Sequence, residues 1–219
     1  MSMLQIWNGK NGKSPHRVLF LGAHSDDIEI GCGGTILRLI ERHPNLECYW
    51  VVLSSTPERE KEARKSAGLF LKDVKRKTVV VRDFRTSFFP FMGSDIKEYF
   101  EELKATFAPD LIFTHYRNDL HQDHRVVCDF TWNTFRNHLI LEYEIPKYDG
   151  DLGAPNCFFH LDETASRRKM RYILSTFKSQ SDKHWFTEET FRGLMRLRGV
   201  ESNSPGKYAE AFYCRKLVF

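Results

Sequence analysis

Apolar residues along this chain come in short runs, and between the runs lie longer stretches in which apolar positions recur every three or four residues. RVLFLG (residues 17–22) is a continuous apolar run of strand length, and GGTILRLIERH (33–43) after it has helical spacing. The alternation repeats: LECYWVVLSS (46–55) reads as a strand, EREKEARKSAGLFL (58–71) as a helix and KTVVVRDF (77–84) as a strand. SDIKEYFEELKATF (94–107) is predicted as a helix capped by Ser94 and stopped before Pro109, and DLIFTH (110–115) as the fourth strand. Strands that are apolar throughout, alternating with helices, predict the α/β class: a three-layer, mostly parallel sheet with helices on both faces. Ligands of such sheets bind beyond the strand C-termini. After about residue 140 the pattern loosens, and ILEYEIPKYDGDLGAPNCFFHL (140–161) reads as a short strand followed by a turn-rich aromatic loop. Helices near 163–177 and 187–198 and a closing strand in AEAFYCRKLVF (209–219) complete the pattern, and no internal repeat appears.

At 219 residues and 41% hydrophobic content the chain can bury one substantial core. Residues 1–219 therefore read as a single domain, with the core in about 15–140 and the C-terminal part shaping the substrate pocket. The 33 basic and 29 acidic side chains give +4 overall, with both signs scattered, which argues against a nucleic-acid partner. Cys32, Cys48, Cys128, Cys157 and Cys214 are odd in number and far apart, so neither a disulfide framework nor a four-cysteine zinc cluster is expected. MSMLQIWNGKNGKSPHR (1–17) lacks an apolar signal core, and no apolar run approaches the roughly 18 residues of a membrane helix. A soluble, cytoplasmic protein without a membrane span is expected, with homo-oligomerisation left open.

The chemistry concentrates at two predicted strand ends. LGAHSDDIEIGCGGT (21–35) places His24, Asp26, Asp27 and Glu29 after the first strand, and HYRNDLHQDH (115–124) follows the fourth. Adjacent carboxylates repel unless a cation lies among them or one takes up a proton. His24, Asp27 and His124 form a two-histidine, one-carboxylate set of the kind that holds catalytic zinc with a position open for water. Zinc lowers the pKa of that water to roughly 7, and Asp26 is the nearby carboxylate suited to take its proton. His121 is three residues from His124 and is suited to stabilise an oxyanion and protonate a leaving amine, with Asp123 orienting an imidazole. This arrangement suits amide hydrolysis.

AHSDDIEIGCGGT (23–35) closely resembles the AHPDDE signature of the LmbE/PIG-L family of zinc-dependent N-acetylglucosaminyl deacetylases, and HQDH (121–124) resembles that family's HPDH segment. The resemblance runs in order along at least residues 17–130, with a looser echo in AEAF. It implies a Rossmann-like α/β fold, His24, Asp27 and His124 as zinc ligands, Asp26 as general base, and His121 as the electrophilic or acid histidine. Asp123 would be the orienting partner of His121 or support the ligands from behind. Ser25 and Gln122 stand where the family usually has proline; they remove backbone stiffness but no metal-binding group.

Other positions carry a functional and a structural reading side by side. Glu29 either supports the site or leads into the helix, and Gly31, Gly33 and Gly34 read as tight-turn glycines at a helix start that also let a substrate approach the backbone. Arg59, with Glu62, matches a family pattern in which an arginine contacts substrate, or belongs to an ordinary charged helix face. His115, with Asn118 and Asp119, lines the pocket or makes a structural hydrogen bond at a strand end. Tyr143, Tyr148, Asp149, His184 and Trp185 would supply aromatic platforms and polar partners to a sugar ring, or loop packing. Arg167 and Arg168 read as a solvated helix face.

The leading expectation is a zinc hydrolase that removes the acetyl group of an N-acetylated amino sugar or sugar conjugate. Iron(II) and cobalt are the other ions that suit such a site. The alternatives are a metal-dependent phosphoester hydrolase, which usually needs two bridged ions, and a non-catalytic sugar- or nucleotide-binding module.

Overall fold

Val18 and Phe20 of the first strand face one apolar cluster and Leu19 and Leu21 the other, and all four are fully buried. A strand apolar on both faces needs cover on both. In the computed structural model, which describes residues 16–218, six helices supply that cover. The strands are β1 (Arg17–Gly22), β2 (Glu47–Val52), β3 (Arg76–Val81), β4 (Leu111–His115), β5 (Leu139–Tyr143), β6 (Cys157–Leu161) and β7 (Tyr208–Cys214). They form one sheet in the order β3-β2-β1-β4-β5-β7-β6. β1 to β5 run parallel, and β7 pairs antiparallel with both β5 and β6. Helices α1 (Asp27–Arg42), α2 (Pro57–Phe70), α5 (Glu163–Thr176) and α6 (Glu188–Glu201) cover one face. The other carries α3 (Gly93–Thr106) and α4 (Gln122–Thr134). The three-layer α/β arrangement and the mostly parallel sheet are as the sequence predicts. No helix among the described residues is long and apolar enough to cross a membrane. Residues 1–15, on which the reading of the N-terminal segment rests, lie outside the described residues.

Four local features differ from the sequence pattern. α1 begins at Asp27 rather than at residue 33, and it is kinked at Cys32 (φ −142°, ψ 16°). The apolar period starts only after that kink, which hides the first turns. A buried ion pair repairs the broken helical ladder: Lys169 Nζ donates to the Ile30 carbonyl at 2.7 Å, while Glu210 accepts the Gly34 and Thr35 N–H groups at 2.8 and 2.6 Å. Lys169 and Glu210 are themselves 2.6 Å apart. Gly31 and Gly34 are packing glycines rather than turn glycines, because a Cβ on Gly31 would enter the Tyr143 ring and one on Gly34 would meet Leu161 and Glu210. Ser94 is inside the first turn of α3 and its hydroxyl donates to Asp95, whereas Met92 occupies the cap position. Finally, the stretch read as an aromatic loop contains β6, a half-buried edge strand whose partner, β7, is remote in sequence.

Candidate active site

β1 and β4 are neighbours, and the strand order reverses between them; this is the crevice where open α/β sheets bind ligands. The two polar motifs therefore meet although about a hundred residues separate them. The loop after β1 carries His24, whose N–H donates to Asp27 Oδ2 at 2.6 Å, so the first residue of α1 closes the loop. His121 caps α4: its Nδ1 accepts the Asp123 N–H at 3.2 Å.

Three side chains form a triangle. His24 Nδ1 is 3.2 Å from His124 Nε2 and 3.4 Å from Asp27 Oδ2, and His124 Nε2 is 3.6 Å from Asp27 Oδ1. Ligand atoms about 2.0–2.2 Å from a tetrahedral zinc stand about 3.3–3.6 Å from one another. The far nitrogens fix the tautomers: His24 Nε2 lies 3.1 Å from Asp123 Oδ2, and His124 Nδ1 lies 2.9 Å from Asp119 Oδ2. A proton on each far nitrogen leaves lone pairs on the two that face each other. Two imidazole nitrogens crowded beside a carboxylate call for a positive charge, which a proton on His24 supplies in the metal-free protein and a divalent metal can replace, so the residues fit such an ion.

Among the described residues two overlapping donor sets converge, His24–His121–His124 and Asp27–His115–His124, each with its atoms within 4.8 Å. His121 Nδ1 already accepts the Asp123 N–H, and His115 Nε2 accepts the Ala23 N–H at 2.9 Å. Each of these two rings has thus spent its lone pair, whereas the facing nitrogens of His24 and His124 lie 3.2 Å from each other and 3.4 and 3.6 Å from the Asp27 carboxylate.

Burial opposes charge on every imidazole here, and the outcome depends on the neighbours. At His24 the carboxylates of Asp27 and Asp123 outweigh burial and lift the pKa to about 9. At His124 burial prevails, with His115 adding to it, and the pKa falls to about 3. Burial pushes the Asp27 carboxyl up, but the surrounding histidines hold it well below the usual range. Asp26, 4% exposed, is raised by burial, and Arg59 limits the rise by donating from Nη2 to Oδ1 at 2.7 Å. Burial and the nearby His24 lower the pKa of His121. With Nδ1 accepting, the neutral His121 ring carries its proton on Nε2.

The structure thus brings His24, Asp26, Asp27, Arg59, His121, Asp123 and His124 together. The Asp123 carboxylate contacts His24, and only its backbone N–H meets His121, so of the two imidazoles it is His24 that the carboxylate orients. His115 and Tyr143 are fully buried. His115 stacks on His124 with ring centroids 3.9 Å apart, and the Tyr143 hydroxyl donates to the Leu21 carbonyl at 2.6 Å. No face of either ring is open to substrate, which corrects the sugar-platform reading of Tyr143; both brace the loop after β1 from within. Glu29 is also fully buried, and burial pushes its carboxyl well above the usual range. Glu62 accepts from the Ser179 N–H and hydroxyl, Tyr148 rests edge-on against His184, and Trp185 packs on Phe186 and Phe191.

Two residues gain a role that their sequence positions did not show. Asp119 orients His124, and Lys147 from the loop after β5 lies 3.0 Å from that carboxylate. Asp119 precedes the first turn of α4, so helical spacing from His124 does not point to it, and Lys147 falls in a segment without periodicity.

The family model for PIG-L, GlcNAc-PI de-N-acetylase, matches residues 19–135, more than half of the chain. The chain belongs to the PIG-L family. Among curated proteins none matches it. Its fold is shared with N,N'-diacetylchitobiose deacetylase from Pyrococcus horikoshii (TM-score 0.69, 20% identity, covering 92% of this chain and 84% of that one). It is shared also with a deacetylase of the teicoplanin biosynthesis pathway (TM-score 0.69, 15% identity, 90% and 97% covered). A third neighbour is GalB, the 4-carboxy-2-hydroxymuconate hydratase of Pseudomonas putida KT2440 (TM-score 0.67, 16% identity, 93% and 97% covered). The PIG-L match spans both polar motifs, so the residues of the triangle lie inside the family region.

Proposed function

We propose that this PIG-L member is a zinc-dependent N-deacetylase that hydrolyses the acetamide of an amino sugar or sugar conjugate to acetate and a free amine. The observation that carries the reading is Asp26: a buried carboxylate beside the His24–Asp27–His124 triangle but outside it, gripped by Arg59. A purely structural zinc has four protein ligands and needs no such neighbour. When bound, zinc supplies Lewis acidity and a water molecule acidified to near neutral pH. Asp26 takes the proton from the attacking water, and burial raises its basicity for that task. His121 donates from Nε2 to the carbonyl oxygen as negative charge develops there. The leaving nitrogen then receives a proton from Asp26 or His121. Arg59 keeps Asp26 in place while its side chain remains 20% exposed. Five unpaired cysteines among the described residues suit a reducing compartment.

The two donor sets share His124, which supports one ion rather than the bridged pair of a phosphoester hydrolase. The GalB likeness favours one second reading, addition of water to an activated carbon–carbon double bond on the same scaffold. Incubating the zinc-loaded protein with N-acetylated sugars, free and conjugated, separates the two. Acetate and free amine released in equal amounts is the expected result; no release from any acetamide, with hydration of an unsaturated acid, overturns it.

A further inference from the structure

Four loops at the C-terminal edge of the sheet are linked into a closed circuit by hydrogen bonds that each involve a side chain. From the loop after β1, His24 Nε2 meets Asp123 Oδ2 at 3.1 Å at the start of α4. Asp123 accepts the Ser87 and Phe89 N–H groups at 2.6 and 3.2 Å, and Gln122 Nε2 donates to the Ser87 carbonyl at 2.5 Å, which ties α4 to the loop after β3. Thr86 of that loop shares a hydroxyl–hydroxyl hydrogen bond of 2.5 Å with Ser54, beyond β2. The next residue, Ser55, meets Ser25 at 3.0 Å, and Ser25 adjoins His24. Ser25 and Ser54 are 0% and 3% exposed, so two of these hydroxyls are shielded from competing water. Ser87 holds a left-handed φ of 65°, a conformation that needs local support in a non-glycine residue.

We propose that this circuit is a positioning device in which Ser25, Ser54, Ser55, Thr86 and Gln122 act as one unit, fixing the loop that delivers Arg59 to Asp26 relative to the imidazole of His24. Ser25 and Gln122 occupy equivalent places, each between a histidine and an aspartate of its motif, and each reaches across to a neighbouring loop. A proline at either place stiffens its own loop only, whereas these side chains stiffen one loop against the next. A ring differs from a set of separate hydrogen bonds in a measurable way: opening it at one point releases loops on both sides, and a second opening adds little.

The test uses the metal-loaded full chain with Ser25→Ala, Thr86→Val and the double variant, whose altered residues belong to separate hydrogen bonds of the circuit. Amide hydrogen exchange is expected to speed up by about tenfold, the equivalent of one hydrogen bond, both in residues 53–56 and at Ser87 and Phe89, in either single variant. The double variant should exchange little faster than each single. Thr86→Ser, which keeps the hydroxyl, should behave as the unaltered protein. Faster exchange confined to the loops each substitution touches, with additive effects in the double variant, overturns the proposal. The effect on turnover rests on the deacetylase reading: kcat for acetate release should fall about tenfold in Ser25→Ala and recover in Thr86→Ser relative to Thr86→Val, at unchanged metal affinity. Absence of acetate release from the unaltered protein defeats that reading, while the exchange result still decides the ring.

Discussion

His24 Nδ1 and His124 Nε2 face each other across 3.2 Å, and a different carboxylate holds each ring from its far side, Asp123 for His24 and Asp119 for His124. Each carboxylate also holds a loop: Asp123 takes the Ser87 and Phe89 amides, and Asp119 is approached by Lys147 at 3.0 Å. Orientation of the ligands and order of the loops around them therefore depend on the same two side chains.

Carboxylate partners that fix a ligating histidine contribute about 10–100-fold in metal affinity. Asp119→Asn and Asp123→Asn should each weaken zinc binding within that range, measured by competition with a chromophoric chelator. Affinity equal to that of the unaltered protein would remove the ligand role assigned to the histidine behind it.

Metal binding should release one proton from His24. Its pKa is raised from 6.5 to about 9, so the metal-free protein holds a proton there at neutral pH. The stability from that proton is fully present below 6.5 and is lost as pH rises through about 9. An incoming ion displaces the proton, so apparent affinity should rise about tenfold per pH unit from neutral pH and level off above pH 9. Calorimetry in buffers of different ionisation enthalpy counts the protons; a pH-independent affinity contradicts the assignment.

Chelation should lower the melting temperature. Zinc at about a thousand times its Kd stabilises the folded state by about 4 kcal/mol, which for a chain of this size corresponds to roughly 10 °C. Differential scanning calorimetry with and without chelator checks it, and coincident transitions would mean that the folded chain holds no metal.

Gly31→Ala should destabilise by about 3 kcal/mol, since the new methyl group enters the Tyr143 ring. Tyr143→Phe should cost about 1–2 kcal/mol by leaving the Leu21 carbonyl without its buried donor. KM should not change in Tyr143→Phe; a rise in KM with no loss of stability would return Tyr143 to the substrate pocket.

The layers and the two site motifs were legible in the sequence because short apolar strands and the HSDD and HQDH clusters are local signals. The start of α1 was not, because its first turns hold buried Asp27 and Glu29 and end at the Cys32 kink, where no apolar period runs. β6 escaped because its pairing with β7 is made across a long sequence interval and its side chains are only half-buried. Tyr143 illustrates a further limit: an aromatic residue at a strand end can face the pocket or the core, and only the close approach of Gly31 decides. The hydroxyl links among Ser25, Ser54, Ser55 and Thr86 join loops that only the sheet order brings together.

The most direct measurement is acetate release from an N-acetylated amino sugar or its conjugates by zinc-loaded protein, by chelated protein and by zinc-loaded Asp26→Asn. The account predicts turnover by the first alone, with loss of about 10²–10⁴-fold in Asp26→Asn at undiminished zinc content. Turnover that survives either chelation or the Asp26 substitution would contradict it.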